Sequence, residues 1–222
     1  MQILATYISL TLALVAFPLS ALWASRLWLG QPTIKTLLPL YAYMWTLIIL
    51  ALLLVVHGEG RGLISIGWVI PSIRVLLLGI GLGVLGVFVF GAVGALIHRL
   101  GIPSYQPALQ KLLALPAWFR FFGAISSGVV EEIMFRGIGL NRLAELSGST
   151  TIAAVITVSI FAAAHYPTGR WGQTILAALL GSGFTAVYLY TDNLVLNAIA
   201  HATMDIIGYV LLPILTGKRG KA

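Results

Sequence analysis

This sequence predicts an all-α fold, a polytopic membrane bundle of about seven transmembrane helices. Three observations carry that prediction. The 222 residues are 59% hydrophobic and 9% charged, whereas a soluble domain carries about 25% charged residues. The mean hydropathy is +1.01. The apolar residues also fall into stretches of ~20, the length that crosses a hydrocarbon core of about 30 Å.

The spans follow in order. Span 1 covers about residues 3–24, and a short connection with Gly30 and Pro32 leads to span 2, about 37–56. Met1, Gln2 and Ile3 lack the basic region of a signal peptide, so span 1 is read as uncleaved. His57 to Gly62 holds three glycines and two charges, a loop signal. Leu63 to Pro71 is short and apolar, an interfacial stretch before span 3, about 74–97. In that span Gly79 and Gly83 stand four apart, a smooth patch on which another helix can approach closely.

Residues 99–117 are the longest polar connection, with a surface helix expected over Ala108–Ala114. Span 4 is about 118–141. Leu146 to Thr150 is a turn, with Ser149 or Thr150 as N-cap of span 5, about 150–165. Span 6 is about 172–190, and Asp192 and Asn193 open span 7, about 193–215. Lys218, Arg219 and Lys221 form a basic tail.

The net charge of +7 does not indicate nucleic acid, because the cations are scattered in loops and not gathered on one face. They fit the positive-inside rule instead. With seven spans and the C-terminus inside, nine Lys and Arg lie inside. Three (Arg61, Arg74 and Arg142) lie outside, and Arg136 is intramembrane. That places the N-terminus outside and the C-terminus in the cytoplasm. The absence of cysteine excludes disulfides and thiolate metal sites.

Polar residues inside the spans point to function. An ionised side chain at the bilayer centre costs roughly 2.5–3.5 kcal/mol on insertion scales, so it is paired or functional. Of six acidic residues, Glu131, Glu132 and Asp205 lie in spans, as do two of four histidines, His165 and His201. Glu132 and Arg136 stand four apart with the acid first, the favourable order for a helical ion pair. Glu131 is turned about 100° from Glu132 and faces another neighbour. The pair is read as support, with packing glue an equal alternative for Glu132, and Glu131 as the chemically active carboxylate. Asn197, His201 and Asp205 form an i, i+4, i+8 stripe on span 7.

Two chemistries fit these residues. Glu131, helped by His165, can take a proton from a water that attacks an amide carbonyl, with His201 and a neighbour on the oxyanion side. Alternatively His165, His201 and a carboxylate, Glu131 or Asp205, can hold Zn²⁺ with a water in the open position.

Glu131-Glu132-x-x-x-Arg136, Phe161-x-x-x-His165 and His201-x-x-x-Asp205 resemble the motifs of the CAAX prenyl protease and bacteriocin-processing (CPBP, or Abi) family of intramembrane endopeptidases. This family includes the type II CAAX prenyl endopeptidases. The resemblance covers about residues 117–215 and implies a helical membrane protease. By it Glu131 and His165 activate water, while His201 and Asp205 line the oxyanion side. It divides the chain into spans 1–3 with their connecting loop (1–116), a catalytic core (117–215) and a basic cytoplasmic tail (216–222). The last motif position is often Asn in eukaryotic-type members, and here it is Asp205. Asn donates to an oxyanion, whereas ionised Asp only accepts.

The expected partners are the lipid bilayer and a membrane-associated peptide or protein, prenylated or not. No cofactor is favoured, with Zn²⁺ the alternative. The competing readings are a non-catalytic immunity or chaperone-like membrane protein, and a proton-coupled transporter. Against the transporter stands the lack of matched broken helices in two halves.

Overall fold

The computed structural model describes residues 1–104 and 106–216, with the side chains of 106–109 excepted; the basic tail with Lys218, Arg219 and Lys221 lies outside the described residues. No strand occurs among them. The long helices are α1 (Gln2–Leu29), α2 (Ile34–Gly58) and α3 (Ile73–Arg99), then, after the short α4 (Gln106–Leu113), α5 (117–147). A 42-residue helical stretch, Thr150–Thr191, and α8 (Leu194–Leu215) complete the chain.

Five of these stretches are long and apolar enough to cross a membrane. The sequence predicts seven spans, and two features account for the difference. First, a straight helix of 42 residues would be about 63 Å long, twice a hydrocarbon core. It is instead broken at Arg170, whose φ of 60° and ψ of −162° are not helical. A Cβ on Gly181 would come within 2.9 Å of the Phe161 ring. These two residues flank Arg170 at similar distances along the chain, so α6 (150–169) and α7 (171–191) fold back on each other as a hairpin. Second, α5 is long enough to cross, but Arg120, Glu131, Glu132, Arg136 and Arg142 disqualify it on composition. Seven long helices result.

The middle of α5 is enclosed by the others, while Trp118 and Phe121 near its start are exposed. Every side chain from Ile133 to Leu140 is buried, as a helix apolar on all sides requires. The main hydrophobic cluster joins Phe17 of α1 and Leu40 and Ile48 of α2 to Met134 and Ile138 of α5. The N-terminal helices and residues 117–215 therefore share one core. Large apolar side chains such as Leu19, Ile49, Leu77, Phe88 and Ile156 are exposed on the outer surface, where lipid takes the place of water.

α8 carries two polar residues of the site, and glycines fix its position. It packs against α3 on one side and α5 on the other. A Cβ on Gly83 would stand 2.5 Å from the Ala200 carbonyl oxygen, and one on Gly128 2.5 Å from the Ala202 nitrogen. Both contacts flank His201. Gly128→Val would push α8 away from α5. Overpacking of this kind costs about 1–3 kcal/mol, and a shift of about 1 Å at a reacting centre costs on the order of 10²-fold in rate. Thermal unfolding and a cleavage rate on the same purified variant test both expectations.

The ends of the helices correct the sequence reading in three places. α5 continues to Ser147 rather than ending near 141, because Arg142 is fully buried and not in an outside loop. Its Nε stands 2.8 Å from Glu59 Oε2, and Ser9 donates to the other Glu59 oxygen at 2.9 Å. This ties α1 and the 58–66 connection to the end of α5. Leu63 to Pro71 is not merely interfacial: Ile66 is completely buried, and Leu194 N–H donates to the Gly67 carbonyl at 2.8 Å. Gly67 has φ 73°, and a Cβ there would strike Tyr188, so glycine is required. Arg120, counted with the inside cations, is buried near the start of α5. Elsewhere the caps follow the sequence: Ser149 caps α6 and Asn193 caps α8. In the connection before α5, helix α4 falls two residues earlier than expected at its start, and Lys111 donates to the Trp28 and Gly30 carbonyls at the end of α1.

Candidate active site

The two adjacent glutamates have different surroundings, as their angular separation on α5 requires. Glu132 is completely buried and saturated. Arg136 NH1 donates to its Oε1 at 3.0 Å, His201 Nδ1 lies 2.9 Å from the same oxygen, and Asn197 Nδ2 donates to Oε2 at 3.2 Å. A carboxylate that receives several N–H donors is held in its ionised, oriented form without need of water.

Arg136 anchors that cluster to the hairpin. Its NH2 donates to the Gly181 carbonyl at 2.9 Å, and its Nε faces Thr185 Oγ1 at 3.4 Å. The guanidinium lies 4.7 Å from the centre of the Phe161 ring and 5.8 Å from that of Phe184, so both ring faces are turned to a cation. Phe184 also stacks on His201 with centroids 5.1 Å apart and planes at 18°. One arginine thus joins α5, α6, α7 and, through Glu132, α8.

Glu131 has none of this. Its Oε2 is buried with no hydrogen-bond partner among the described residues. The nearest cationic candidate, His201 Nε2, stands 4.0 Å away, beyond hydrogen-bond reach. Glu131 instead lines a cavity of about 490 Å³, together with His165, His201, Asp205, Ser127, and Tyr209. The cavity holds every residue expected to act, and excludes Glu132, Arg136 and Asn197 from its wall. Trp28, Leu112, Thr168 and Gln173 line it as well. These lie at the end of the bundle where α1 ends, α4 runs and the α6–α7 hairpin turns, and Leu212 of α8 lines it near the C-terminus.

The histidine tautomers follow from their partners. The Phe161 carbonyl lies 2.8 Å from His165 Nδ1, and a carbonyl only accepts, so Nδ1 carries the hydrogen and Nε2 is the free nitrogen. His201 Nδ1 faces the Glu132 carboxylate in the same way. This leaves its Nε2 toward the cavity, 3.9 Å from Asp205 Oδ2 and 4.0 Å from Glu131 Oε2. A buried carboxylate that orients a histidine this way is a recurrent support for a reacting imidazole.

The donors do not fit a zinc ion in this arrangement. A zinc site needs three or four donors about 2.0–2.2 Å from one point. Among the described residues no three His, Asp or Glu side chains are grouped so as to share an ion.

Sequence reasoning placed His201 beside Glu131 and Asp205, and its closest partner is Glu132. Phe184, Thr185 and the Gly181 carbonyl were missed, and an apolar helix gives no signal for them. Arg120 and Tyr209 were also missed. Tyr209 continues the stripe of Asn197, His201 and Asp205 by one more turn, so its signal was present in the spacing.

Searches of curated proteins and of solved structures gave no match. Residues 113–207 match the family model of type II CAAX prenyl endopeptidases, Rce1-like. Glu131, Glu132, Arg136, His165, Asn197, His201 and Asp205 all fall within that segment. The polar centre of the site described above therefore lies within the segment that is similar to the type II CAAX prenyl endopeptidases, Rce1-like.

Proposed function

We propose that this chain is an intramembrane endopeptidase in which Glu131 is the general base. The observation that carries the reading is the contrast between neighbours: Glu132 is saturated by three protein donors, while Glu131 Oε2 has no partner among the described residues and faces the shared cavity. A buried carboxylate oxygen beside a polar cavity calls for water.

In the reaction, Glu131 and the free Nε2 of His165 hold that water. Glu131 takes its proton as the oxygen attacks the scissile carbonyl, and the carbonyl π bond becomes an oxyanion. The tetrahedral species collapses, the C–N bond breaks, and the leaving amine takes back the proton. The products are a carboxylic acid and an amine, with one water consumed. His201, when its Nε2 also carries a hydrogen, donates toward the oxyanion, and Asp205 orients that ring. No step in this scheme needs a metal. Glu132, Arg136 and Asn197 hold the frame.

The substrate is a peptide segment presented at the membrane surface, entering from the end of the bundle that bears the C-terminus. The excess of loop Lys and Arg at that end supports a cytoplasmic orientation for it. The cavity wall is mostly apolar, with Val87, Phe90 and Leu180 beside the polar residues, which suits a segment that carries apolar groups.

Purified protein in detergent with an internally quenched, membrane-anchored peptide tests the reading. Cleavage is expected, and it should persist at full rate after dialysis against a strong chelator. Activity lost on chelation and restored by Zn²⁺ would replace this scheme with the metal-dependent one.

A further inference from the structure

Two carboxylates, those of Glu131 and Asp205, line the cavity in which an oxyanion would form. Ionised carboxylates only accept hydrogen bonds, so the oxyanion depends on the few N–H and O–H donors that reach the cavity. Several of those at hand are already engaged, and the unengaged Gln173 and Trp28 line the cavity at its end beside α4 and the hairpin turn. Ser127 Oγ donates to the Gly123 carbonyl at 2.8 Å, and Thr168 Oγ1 to the His165 carbonyl at 3.2 Å. His165 Nδ1 is taken by Phe161, and Asn197 Nδ2 by Glu132 and the Phe184 carbonyl at 2.7 Å. Tyr41 is near, but its hydroxyl lies against Gly123 and it does not line the cavity.

Tyr209 is different. It lines the cavity with Glu131, His201 and Asp205, and stands one helical turn beyond Asp205 on the same face of α8. Its hydroxyl has no hydrogen-bond partner among the described residues. The helix there takes a π turn over Ile207–Leu211, a local widening found often at functional sites. Arg120 NH1 donates to the Tyr209 carbonyl at 2.6 Å. That is the one hydrogen bond this buried guanidinium makes from its side chain among the described residues. A charged group buried in a membrane helix to hold one carbonyl fixes the backbone of the residue that bears it.

We propose that Tyr209 is a catalytic residue, its phenolic O–H donating to the oxyanion opposite the water held by Glu131. Arg120 is its positioning residue, acting through the Tyr209 backbone. This rests on the hydrolytic reading above.

The test uses full-length protein, wild type beside Tyr209→Phe and Glu131→Gln. Three quantities are read: the cleavage rate, the affinity for an uncleavable substrate peptide, and the affinity for the matching peptide phosphonate, whose anionic oxygens mimic the tetrahedral state. Loss of one oxyanion donor costs about 10²–10³ in kcat. Tyr209→Phe should therefore lose on the order of 10²-fold in kcat and a similar factor in phosphonate affinity, with the uncleavable peptide bound as before. A kcat within about twofold of wild type overturns the proposal. So does an equal loss for both ligands, which would make Tyr209 a packing residue. An inactive Glu131→Gln beside a normal Tyr209→Phe removes only the role of Tyr209. A wild type that cleaves nothing removes the hydrolytic reading, and this proposal with it.

Discussion

Glu131→Gln should abolish peptide cleavage and leave the fold intact. The amide has nearly the shape of the carboxyl group but cannot take a proton from water. General-base catalysis by a positioned carboxylate contributes about 10²–10⁴-fold, and a loss in that range is expected in kcat. The fold should not suffer, because Glu131 accepts no hydrogen bond from the protein at Oε2 and stands 4.0 Å from His201. Removing a buried charge that has no partner is neutral or mildly stabilising. Initial rates with the quenched peptide and thermal unfolding of the same preparation measure both halves of the expectation. A variant that keeps more than a tenth of wild-type activity would remove Glu131 from the chemistry.

Arg136→Met should be the most damaging substitution to stability. The side chain is 1% exposed and joins Glu132, the Gly181 carbonyl, Thr185 and the faces of Phe161 and Phe184. Methionine fills much of the space but leaves the Glu132 carboxylate without its cation. Breaking one side of a buried pair costs about 3–5 kcal/mol, largely because the other charge stays buried. The α6–α7 hairpin would lose its tie to α5 at the same time. The double variant Glu132→Gln/Arg136→Met should recover part of the loss, since neither charge then remains. Thermal unfolding of the two single variants and the double one completes the cycle. A double variant as unstable as the sum of the single ones would show that the pair itself contributes nothing.

Much of the fold was legible in the sequence because lipid imposes a simple rule. Each span needs ~20 apolar residues and closes its own backbone hydrogen bonds, so hydropathy and the turn residues located all seven long helices. The failures came where a partner is distant in the chain. Arg142 resembled a loop cation until Glu59, 83 residues earlier, was found against it. Arg120 resembled one until the Tyr209 carbonyl was found. The Tyr166 to Arg170 stretch was read as a loop, but the helix continues through Gly169 and reverses at Arg170 alone.

The site was legible in its members and less so in its pairings. Helical spacing separated Glu131 from Glu132 and matched Glu132 with Arg136, because i,i+4 neighbours are fixed by helix geometry. Which glutamate meets His201 depends on how α5 and α8 are rotated about their axes. That rotation is set by Gly83 and Gly128, whose missing side chains let the helices meet at Ala200 and Ala202. Spacing within one helix carries no information about it. The Arg136 contacts on α7 were invisible for a similar reason, since a backbone carbonyl such as that of Gly181 leaves no mark on the sequence.

The division of labour between two adjacent carboxylates is the centre of this reading. Its most direct test measures Glu131→Gln and Glu132→Gln side by side, each for cleavage rate and for thermal unfolding. Glu131→Gln should be inactive and as stable as wild type. Glu132→Gln should unfold at a clearly lower temperature, because Arg136 and His201 lose a charged acceptor. A Glu131→Gln protein that is active, or one as destabilised as Glu132→Gln, would contradict it.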